Sequence, residues 1–305
     1  MNPRPAVGCL LGIEALDLRD INRILDSARQ MQRRAKPTLR ERRVALLFYE
    51  ASTRTRVSFE YASKMLGATT TVINATASSI EKGESLIDTG YTIMALGAQA
   101  IVIRHPCSGA PHLLSRYVDV PVINAGDGMH EHPSQALLDA YTILEHKKKL
   151  KGLKIALIGD IFHSRVARSD VLLFSKAGAR VTLCGPSELV PEVARTLAPD
   201  VTVTRDLREA LEDADVIIAL RIQKERLEGL QLKLDDYIAR YQISADRVHW
   251  AKKDVIVMHP GPIIRGLELT ADVADSERTV ILEQVKNGVA VRMAILARAL
   301  GVSHR

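Results

Sequence analysis

Short apolar segments alternate along the chain with longer amphipathic stretches. The apolar segments lack the strict polar alternation of strands with one solvent face, which indicates parallel strands covered on both sides. Nine segments predict strands: Val44–Phe48, Thr70–Ile73, Ala100–Ile103, Val120–Ile123, Lys154–Ile158, Arg180–Leu183, Val201–Thr204, Val216–Leu220 and Val255–Met258. Their alternation with helical stretches predicts an α/β architecture with parallel sheets.

The amphipathic stretches predict helices by their apolar spacing of three and four residues. Four are predicted, at about 13–35, from residue 53 onward, at about 133–148 and at about 284–300. In the second of them, Val57, Tyr61 and Met65 lie on one face. The helix that starts at residue 53 follows a predicted strand directly, which is typical of a βαβ unit.

A length of 305 residues favours two domains. The basic run Lys147–Lys149 and Gly152 lie between a helix and a new strand, which indicates a boundary there. The basic run itself suits the C-terminal end of a helix. We predict a first domain of residues 1–148, with the C-terminal helix of about 284–305 packed back on it, and a second domain of residues 149–283.

The amino-acid composition argues against several classes of protein and of ligand site. The net charge of +6 is compatible with nucleic acid or small anions as ligands, but aromatic residues make up 4% and few could stack on bases. Three cysteines without a CxxC pair argue against disulfides and zinc clusters. No signal-peptide pattern and no apolar run of about 18 residues occurs, so we expect a cytoplasmic protein without membrane contact.

The segment Ser52-Thr53-Arg54-Thr55 lies between a buried strand and an amphipathic helix. A helix N-terminus offers unpaired N–H groups to an anion, hydroxyls add donors, and an arginine adds a fork suited to phosphate oxygens. The alternative is an ordinary Ser/Thr N-cap with surface arginines. The segment is not a Walker P-loop, since GxxxxGK[ST] is missing.

Further polar residues follow other predicted strands, where ligands bind in open α/β sheets. Arg104 follows the third strand, and His132 and Gln135 stand three apart at the start of a helix. Arg165 and Arg221 follow two strands of the second half and suit carboxylates. Each residue taken alone has an ordinary alternative, namely a structural histidine or a surface arginine.

Two kinds of cofactor are disfavoured. Gly159 follows a strand as in a dinucleotide-binding unit, but the later glycines of GxGxxG are missing, which argues against a nicotinamide-dependent dehydrogenase. The nine histidines form no HExxH motif and no tight cluster along the sequence, so we expect no metal.

Six stretches, read together, resemble the aspartate transcarbamoylase catalytic chain of the aspartate/ornithine transcarbamoylase superfamily. They are Phe48–Glu60, Ser78–Glu84, Arg104–Pro106, Asn124–Asp139, Arg221–Leu227 and His259–Pro262. They occur in the family's order and span nearly the whole chain. The resemblance implies two doubly wound parallel-sheet domains, one for carbamoyl phosphate and one for aspartate, with the active site at the interdomain cleft and subunit interface. It implies no cofactor.

The resemblance also assigns roles to individual residues. It implies that the phosphate of carbamoyl phosphate is bound by Ser52, Thr53, Arg54 and Thr55. It implies that the carbonyl oxygen accepts hydrogen bonds from Thr55, Arg104 and His132. Gln135 and the backbone carbonyls of Gly261 and Pro262 would hold the carbamoyl nitrogen. Aspartate would meet Lys82, Arg165, Arg221 and Gln223. Ser78 and Lys82 would come from a neighbouring subunit of a homotrimer.

The sequence departs from the family at four positions. Ala51 stands where relatives often carry Pro or Asn, Gly261 stands where some carry Leu, and Ile263 and Ile264 replace more polar neighbours. The implied reaction joins carbamoyl phosphate and L-aspartate to N-carbamoyl-L-aspartate, the committed step of pyrimidine biosynthesis. The resemblance leaves open whether a regulatory or a dihydroorotase-like chain joins the trimer.

Other functions stay open at this point. Ornithine transcarbamoylases share the STRTR and HPxQ elements, but they usually carry SMG and HCLP where this chain reads Arg221-Ile222-Gln223 and His259-Pro260-Gly261-Pro262. A cation such as Arg221 suits the aspartate β-carboxylate and would repel the ornithine ammonium. A non-catalytic anion-binding scaffold subunit and a nucleic-acid binder are the alternatives from other classes.

Overall fold

The protein is described by a computed structural model over residues 5–74, 83–222 and 233–302. Its internal contacts divide the chain into a first unit, residues 1–138 with 285–305, and a second unit, residues 139–284. Both division points fall within long helices. The predicted boundary between residues 148 and 149 therefore stays a prediction.

The first unit contains a four-stranded parallel sheet in the order β2-β1-β3-β4. Its strands are β1 (Arg43–Phe48), β2 (Thr69–Asn74), β3 (Ala100–His105) and β4 (Val122–Asp127). Its helices are α1 (Leu18–Arg33), α2 (Thr53–Met65), α3 (Leu86–Ala95) and α4 (Ala110–Leu114). The core around this sheet consists mainly of Val, Ile, Leu and Ala, as the scarcity of aromatic residues requires.

Strand β4 extends four residues beyond its predicted end at Ile123. Polar residues there indicated a loop, but the backbone of Leu10 pairs with this segment, since Asn124 N donates to Leu10 O at 2.8 Å. The Asn124 side-chain amide donates to Leu11 O at 2.8 Å. These bonds satisfy the polar groups within a fully buried strand end.

Helix α2 does not bury the face on which Tyr61 and Met65 lie. Tyr61 and Met65 are 56% and 49% exposed, whereas Phe59 and Ala62 on the adjacent face are fully buried. Arg292 of the C-terminal helix lies over the Phe59 ring, 5.2 Å from its centroid. The face with Tyr61 and Met65 is therefore left without a partner inside the described part of this unit.

The second unit contains a five-stranded parallel sheet in the order β7-β6-β5-β8-β9. Its strands are β5 (Lys154–Ile158), β6 (Arg180–Cys184), β7 (Thr202–Thr204), β8 (Val216–Ala219) and β9 (Ile256–Met258). Its helices are α6 (Arg165–Lys176), a 3₁₀ turn (Glu192–Leu197), α7 (Leu207–Leu211), α8 (Leu234–Tyr241), α9 (Ala245–Val248) and α10 (Ala271–Ala274). Two further helices, α5 (Pro133–Lys147) and α11 (Ile281–Ala299), each contain residues of both units.

The described residues thus confirm the predicted α/β class with two parallel sheets flanked by helices, and all nine predicted strands are present. Each sheet reverses its strand order once, between β1 and β3 in the first unit and between β5 and β8 in the second. Such reversals open a crevice at the carboxyl ends of the strands, where open α/β sheets bind ligands. Among the described helices, none is long and apolar enough to cross a membrane.

Candidate active site

The N-terminus of α2 directly follows β1 at the strand reversal of the first sheet. Ser52 is its N-cap residue with extended backbone angles, but its side chain makes no capping hydrogen bond. By contrast, Asp17 and Ser85 cap their helices by accepting from the N–H groups of Asp20 and Asp88 at 2.8 and 3.2 Å. The α2 first turn also lacks an acidic residue. The Ser52 side chain therefore leaves the N–H groups of this turn uncapped, and such groups can bind an anion.

Arg54 and Thr55 lie in this first turn. Arg54 is exposed, and partial desolvation lowers the pKa of its guanidinium, which still stays protonated at neutral pH. Thr55 is 5% exposed. The Ser58 hydroxyl donates to the backbone oxygens of Arg54 and Thr55 at 2.6 and 3.0 Å. The turn thus combines uncapped main-chain N–H groups with one exposed cation.

Arg104 is the last residue but one of β3, the strand that pairs with β1. Its Nε lies 3.3 Å from Oε2 of Glu50, and both side chains are mostly buried. The backbone oxygen of Arg104 also accepts from Tyr49 N at 2.9 Å, which places the ends of both strands side by side. No role was predicted for Glu50 from the sequence. The sequence did contain one indication of a role for Glu50, since this residue closely follows a buried strand and lies among polar residues.

His132 and Gln135 are buried where α5 begins, with exposures of 4% and 7%. The backbone oxygen of His132 accepts from Gln135 N at 2.9 Å, and Ser134 Oγ lies 3.4 Å from His132 Nδ1. The preceding turn is held by the fully buried Asp127, whose Oδ1 accepts from Glu131 N at 3.1 Å. A buried imidazole and a buried amide thus follow β4, the neighbour of β3.

Arg165 is the first residue of α6, after β5. The helix is capped by Ser164, whose Oγ accepts from Ala167 N at 3.1 Å. In the loop before it, Asp160 Oδ1 accepts from His163 N at 3.0 Å and lies 3.0 Å from His163 Nδ1. These bonds fix the loop from which the Arg165 side chain starts.

Arg221 follows β8, the parallel neighbour of β5. The next backbone N–H, that of Ile222, donates to Glu268 Oε1 at 2.9 Å, and Ile264 N donates to Glu268 Oε2 at the same distance. Glu268 is 1% exposed. Burial raises the pKa of the Glu268 carboxyl, while the two N–H donors and the charge of Arg221 act against that rise. Sequence reasoning missed Glu268, because nothing local marks it as a bridge between distant segments.

The segment His259–Pro262 follows β9. His259 N donates to Gln284 Oε1 at 2.9 Å, and Gly261 N donates to His259 Nδ1 at 2.7 Å. The Gly261–Pro262 peptide bond is cis, and Gly261 has a left-handed φ of 69°. The bond from Gly261 N to the His259 ring holds the backbone in the left-handed conformation that a glycine permits.

The structure brings the predicted residues together in two groups, one in each unit. Ser52–Thr55, Arg104, His132 and Gln135 lie at the carboxyl edge formed by β1, β3 and β4. Arg165, Arg221, Gly261 and Pro262 lie at the carboxyl edge formed by β5, β8 and β9. Ser78, Lys82 and Gln223 lie outside the described residues.

Comparison with protein families gives two matches that together cover most of the chain. Residues 9–145 match the family model for the aspartate/ornithine carbamoyltransferase, carbamoyl-P binding domain. Residues 151–299 match the model for the aspartate/ornithine carbamoyltransferase, Asp/Orn binding domain.

Individual relatives and solved structures belong to the same family as these two models. The aspartate carbamoyltransferase catalytic subunit of Koribacter versatilis is 61% identical over 95% of this chain and 96% of its own length. The corresponding subunit of Acetivibrio thermocellus is 53% identical over 94% of both chains. Among solved structures, aspartate transcarbamoylase from Trypanosoma cruzi in complex with N-(phosphonacetyl)-L-aspartic acid has a TM-score of 0.88 at 32% identity, covering 99% and 98% of the two chains. Ornithine carbamoyltransferase from Pyrococcus furiosus also has a TM-score of 0.88, at 31% identity over 99% and 100%.

Proposed function

This chain belongs to the aspartate/ornithine carbamoyltransferase family, and we propose that it transfers the carbamoyl group of carbamoyl phosphate to the amine of L-aspartate. The fold alone does not choose between aspartate and ornithine, since solved structures of both enzymes match equally well. The choice rests on the relatives at 50–61% identity, which are aspartate carbamoyltransferase catalytic subunits, and on the cation at position 221.

The phosphate of carbamoyl phosphate binds at the start of α2. The observation that carries this assignment is the uncapped first turn, where Ser52 leaves the helix N–H groups to a ligand. A phosphate carries about −1.5 to −2 charges at neutral pH. Main-chain donors, the hydroxyls of Thr53 and Thr55 and the guanidinium of Arg54 supply complementary hydrogen bonds and charge.

The carbamoyl group is held by residues at the ends of β3 and β4. Thr55, Arg104 and His132 donate to the carbonyl oxygen, and Gln135 accepts from the carbamoyl nitrogen through its side-chain oxygen. The backbone oxygens of Gly261 and Pro262 accept from the same nitrogen. Because Glu50 pairs with Arg104 at 3.3 Å, a substrate oxygen competes with that carboxylate for the guanidinium.

Aspartate binds through its two carboxylates to Arg165 and Arg221, helped by Gln223. These arginines follow neighbouring parallel strands, so their side chains start from adjacent points of one sheet edge. Lys82, with Ser78, adds donors from a neighbouring subunit. The buried Glu268 positions the Arg221 segment through the backbone of Ile222.

The reaction follows from this arrangement. The aspartate amine attacks the carbamoyl carbon, and the carbonyl oxygen takes the developing negative charge, which Thr55, Arg104 and His132 stabilise. The bond between that carbon and the phosphate oxygen then breaks, phosphate leaves, and it takes the proton from the amine. Holding two anions in contact supplies much of the acceleration, since proximity alone contributes about 7–11 kcal/mol in favourable cases.

We also infer a homotrimer with shared active sites in the cytoplasm, serving pyrimidine biosynthesis. The exposed apolar residues Tyr61 and Met65 of α2 give this unit a surface suited to a subunit contact. The three cysteines are unpaired, as suits a reducing compartment. Mixing the variants Lys82→Ala and Arg54→Ala tests the shared site. Activity restored on mixing supports a site built from two subunits, and two variants that stay inactive together contradict it.

An amino-acid panel tests the reaction. The purified chain is given carbamoyl phosphate with aspartate, ornithine, putrescine or N-acetylornithine, and phosphate release is measured. We expect turnover with aspartate alone. Turnover with ornithine and none with aspartate would overturn the proposal, and no turnover with any amine would favour a non-catalytic anion-binding subunit. Retention on DNA with a steep salt dependence would instead favour a nucleic-acid binder.

A further inference from the structure

Three metal-ligating side chains lie together in the first unit, outside the proposed substrate contacts. His112 stands in α4, Asp127 ends β4, and His130 follows in the turn before α5. Each offers one ligand atom, and these atoms all lie within 4.8 Å of one another. The two imidazole rings are 5.5 Å apart at their centroids and inclined by 68°.

The distances suit a single ion. His130 Nδ1 lies 3.1 Å from Asp127 Oδ2. Two ligands bound to one tetrahedral zinc at about 2.0–2.2 Å stand roughly 3.4 Å apart, so this pair needs almost no movement. The most distant pair, at up to 4.8 Å, closes to that spacing by a shift of about 1.4 Å, which side-chain rotation can provide.

Asp127 is held rigidly for such a role. It is fully buried, and its carboxylate accepts from Gly109 N at 2.7 Å, Asn124 Nδ2 at 2.8 Å and Glu131 N at 3.1 Å. Metal-binding carboxylates are commonly oriented by hydrogen bonds of this kind, which fix the lone pair that faces the ion.

His112 supplies an independent indication. Its Nδ1 is buried and has no hydrogen-bond partner among the described residues. A buried imidazole nitrogen without a partner is costly unless something satisfies it. Asp127 and His130 each offer a ligand atom within 4.8 Å of a ring nitrogen of His112, so a cation shared by the three side chains would give this imidazole a partner.

We propose that His112, Asp127 and His130 form a binding site for a transition-metal ion of the zinc class. Two imidazole nitrogens and one carboxylate oxygen select zinc or cobalt over magnesium and calcium, which prefer oxygen ligands throughout. The imidazoles are partly exposed, which leaves the fourth tetrahedral position to solvent or to a ligand from another molecule. The ion would join α4 to the turn that precedes α5.

The sequence alone gave no sign of this site, since the expectation from the sequence was that the chain binds no metal. His112 lies in α4, and Asp127 lies at the end of β4, the next strand along the chain. The pairing of β3 with β4 brings the segments that follow them to one edge, and the site exists because of that pairing.

The test uses the full chain, stripped of metal by a chelator and titrated with Zn²⁺ by calorimetry. We expect one equivalent per chain, a rise in the thermal unfolding midpoint, and, with Co²⁺, the visible absorption of a tetrahedral complex. His112→Ala should weaken the binding by at least about 100-fold, since even changes behind the ligands cost about 10–100-fold. His112→Cys should keep it and add sulfur-to-cobalt charge transfer, because thiolate is also a zinc ligand.

His249→Ala is the matched control, since it removes an exposed histidine of the second unit and should leave the stoichiometry and the affinity unchanged. If the wild-type chain takes up no stoichiometric Zn²⁺, the proposal is overturned. It is equally overturned if His112→Ala and His130→Asn bind as tightly as the wild type, because the ion would then sit elsewhere. Circular dichroism of each variant separates loss of binding from loss of folding.

Discussion

The two anion-binding ends of the proposed site are built in different ways. At the phosphate end, one short segment supplies nearly everything, namely the N–H groups of an uncapped helix start and the side chain of Arg54. At the aspartate end, two arginines come from different strand ends, and a buried carboxylate, Glu268, holds one of their segments by its backbone. The first end depends on local structure, and the second depends on contacts between segments that are distant along the chain.

The comparison predicts different consequences of substitution. A change at the phosphate end should remove binding or rate without affecting folding, because the side chain concerned is exposed. A change in the support of the aspartate end should affect both, because the group concerned is buried. Three substitutions test this difference, and a fourth tests a buried carboxyl of α6 in the second unit.

Arg54→Ala should have the largest effect on catalysis. Arg54 is proposed to hold the phosphate, which gains negative charge as its bond to the carbamoyl carbon breaks. Loss of a donor to such charge costs about 2.7–4 kcal/mol, or roughly 10²–10³-fold in kcat. Because Arg54 is exposed, the thermal unfolding midpoint should stay within about one degree. Arg54→Lys should recover part of the rate, since lysine keeps the charge without the planar fork. Near-normal turnover of Arg54→Ala would remove Arg54 from the mechanism.

Arg221→Ala should mainly raise the KM for aspartate. Hydrogen bonds to charged groups contribute about 1.5–3 kcal/mol, so kcat/KM for aspartate should fall by roughly 10–150-fold. Initial rates at varied aspartate and saturating carbamoyl phosphate measure the change. Arg265→Ala serves as control, because Arg265 is exposed and pairs with Asp275 at 2.7 Å, a kind of surface pair that contributes about 0–1 kcal/mol. An equal effect of both substitutions would argue against a specific role of Arg221.

Glu268→Gln should affect stability and substrate affinity together. Ile222 N and Ile264 N donate to different oxygens of Glu268. In glutamine an NH2 group replaces one of these oxygens, so one buried N–H then faces a donor and is left unsatisfied. We expect a loss of about 1–3 kcal/mol in the free energy of unfolding and a higher KM for aspartate, with the KM for carbamoyl phosphate little changed. Urea unfolding and steady-state kinetics measure the two effects.

The control for Glu268 is Glu192→Gln, at an exposed residue paired with Arg195 at 2.9 Å. Its effect on stability should stay within about 0.5 kcal/mol. If Glu268→Gln lowers stability and leaves the aspartate KM unchanged, Glu268 supports the fold without positioning Arg221.

Asp170→Asn should raise stability, with the smallest effect of the four. Asp170 in α6 is fully buried, and neither of its carboxyl oxygens has a hydrogen-bond partner among the described residues. Burial, and secondarily the nearby charge of Asp139, raises the pKa of Asp170 well above its ordinary value. A carboxyl whose pKa is raised by folding destabilises the folded state increasingly as pH rises above the unfolded pKa of about 3.9.

The stabilisation by Asp170→Asn should therefore be absent near pH 3.5 and grow as pH rises, reaching about 1 kcal/mol or more, since one pKa unit corresponds to about 1.4 kcal/mol. Thermal or urea unfolding between pH 4 and 8 measures it. Asp235→Asn, at an exposed position of α8, should show no such growth. A difference between Asp170→Asn and the wild type that is the same at every pH would contradict the assignment to a buried ionisable group.

The strands and the phosphate segment could be predicted because their signals are local. Continuous apolar runs predicted all nine strands, and the position of Ser52–Thr55 after a buried run predicted a helix N-terminus. The end of β4 was predicted four residues too early, because the bonds that keep Asn124 in the strand come from Leu10 and Leu11. No local pattern carries that information.

The pattern of hydrophobic and polar residues, together with the order of the motifs, determined the α/β class, the two parallel sheets and the residues at the strand ends. These follow from backbone propensity and burial, which each segment expresses by itself. The order of strands within each sheet, the face that α2 buries, the bridge made by Glu268 and the grouping of His112, Asp127 and His130 were decided by tertiary structure. They depend on which strands become neighbours, and strand pairing joins residues that no spacing along the chain relates.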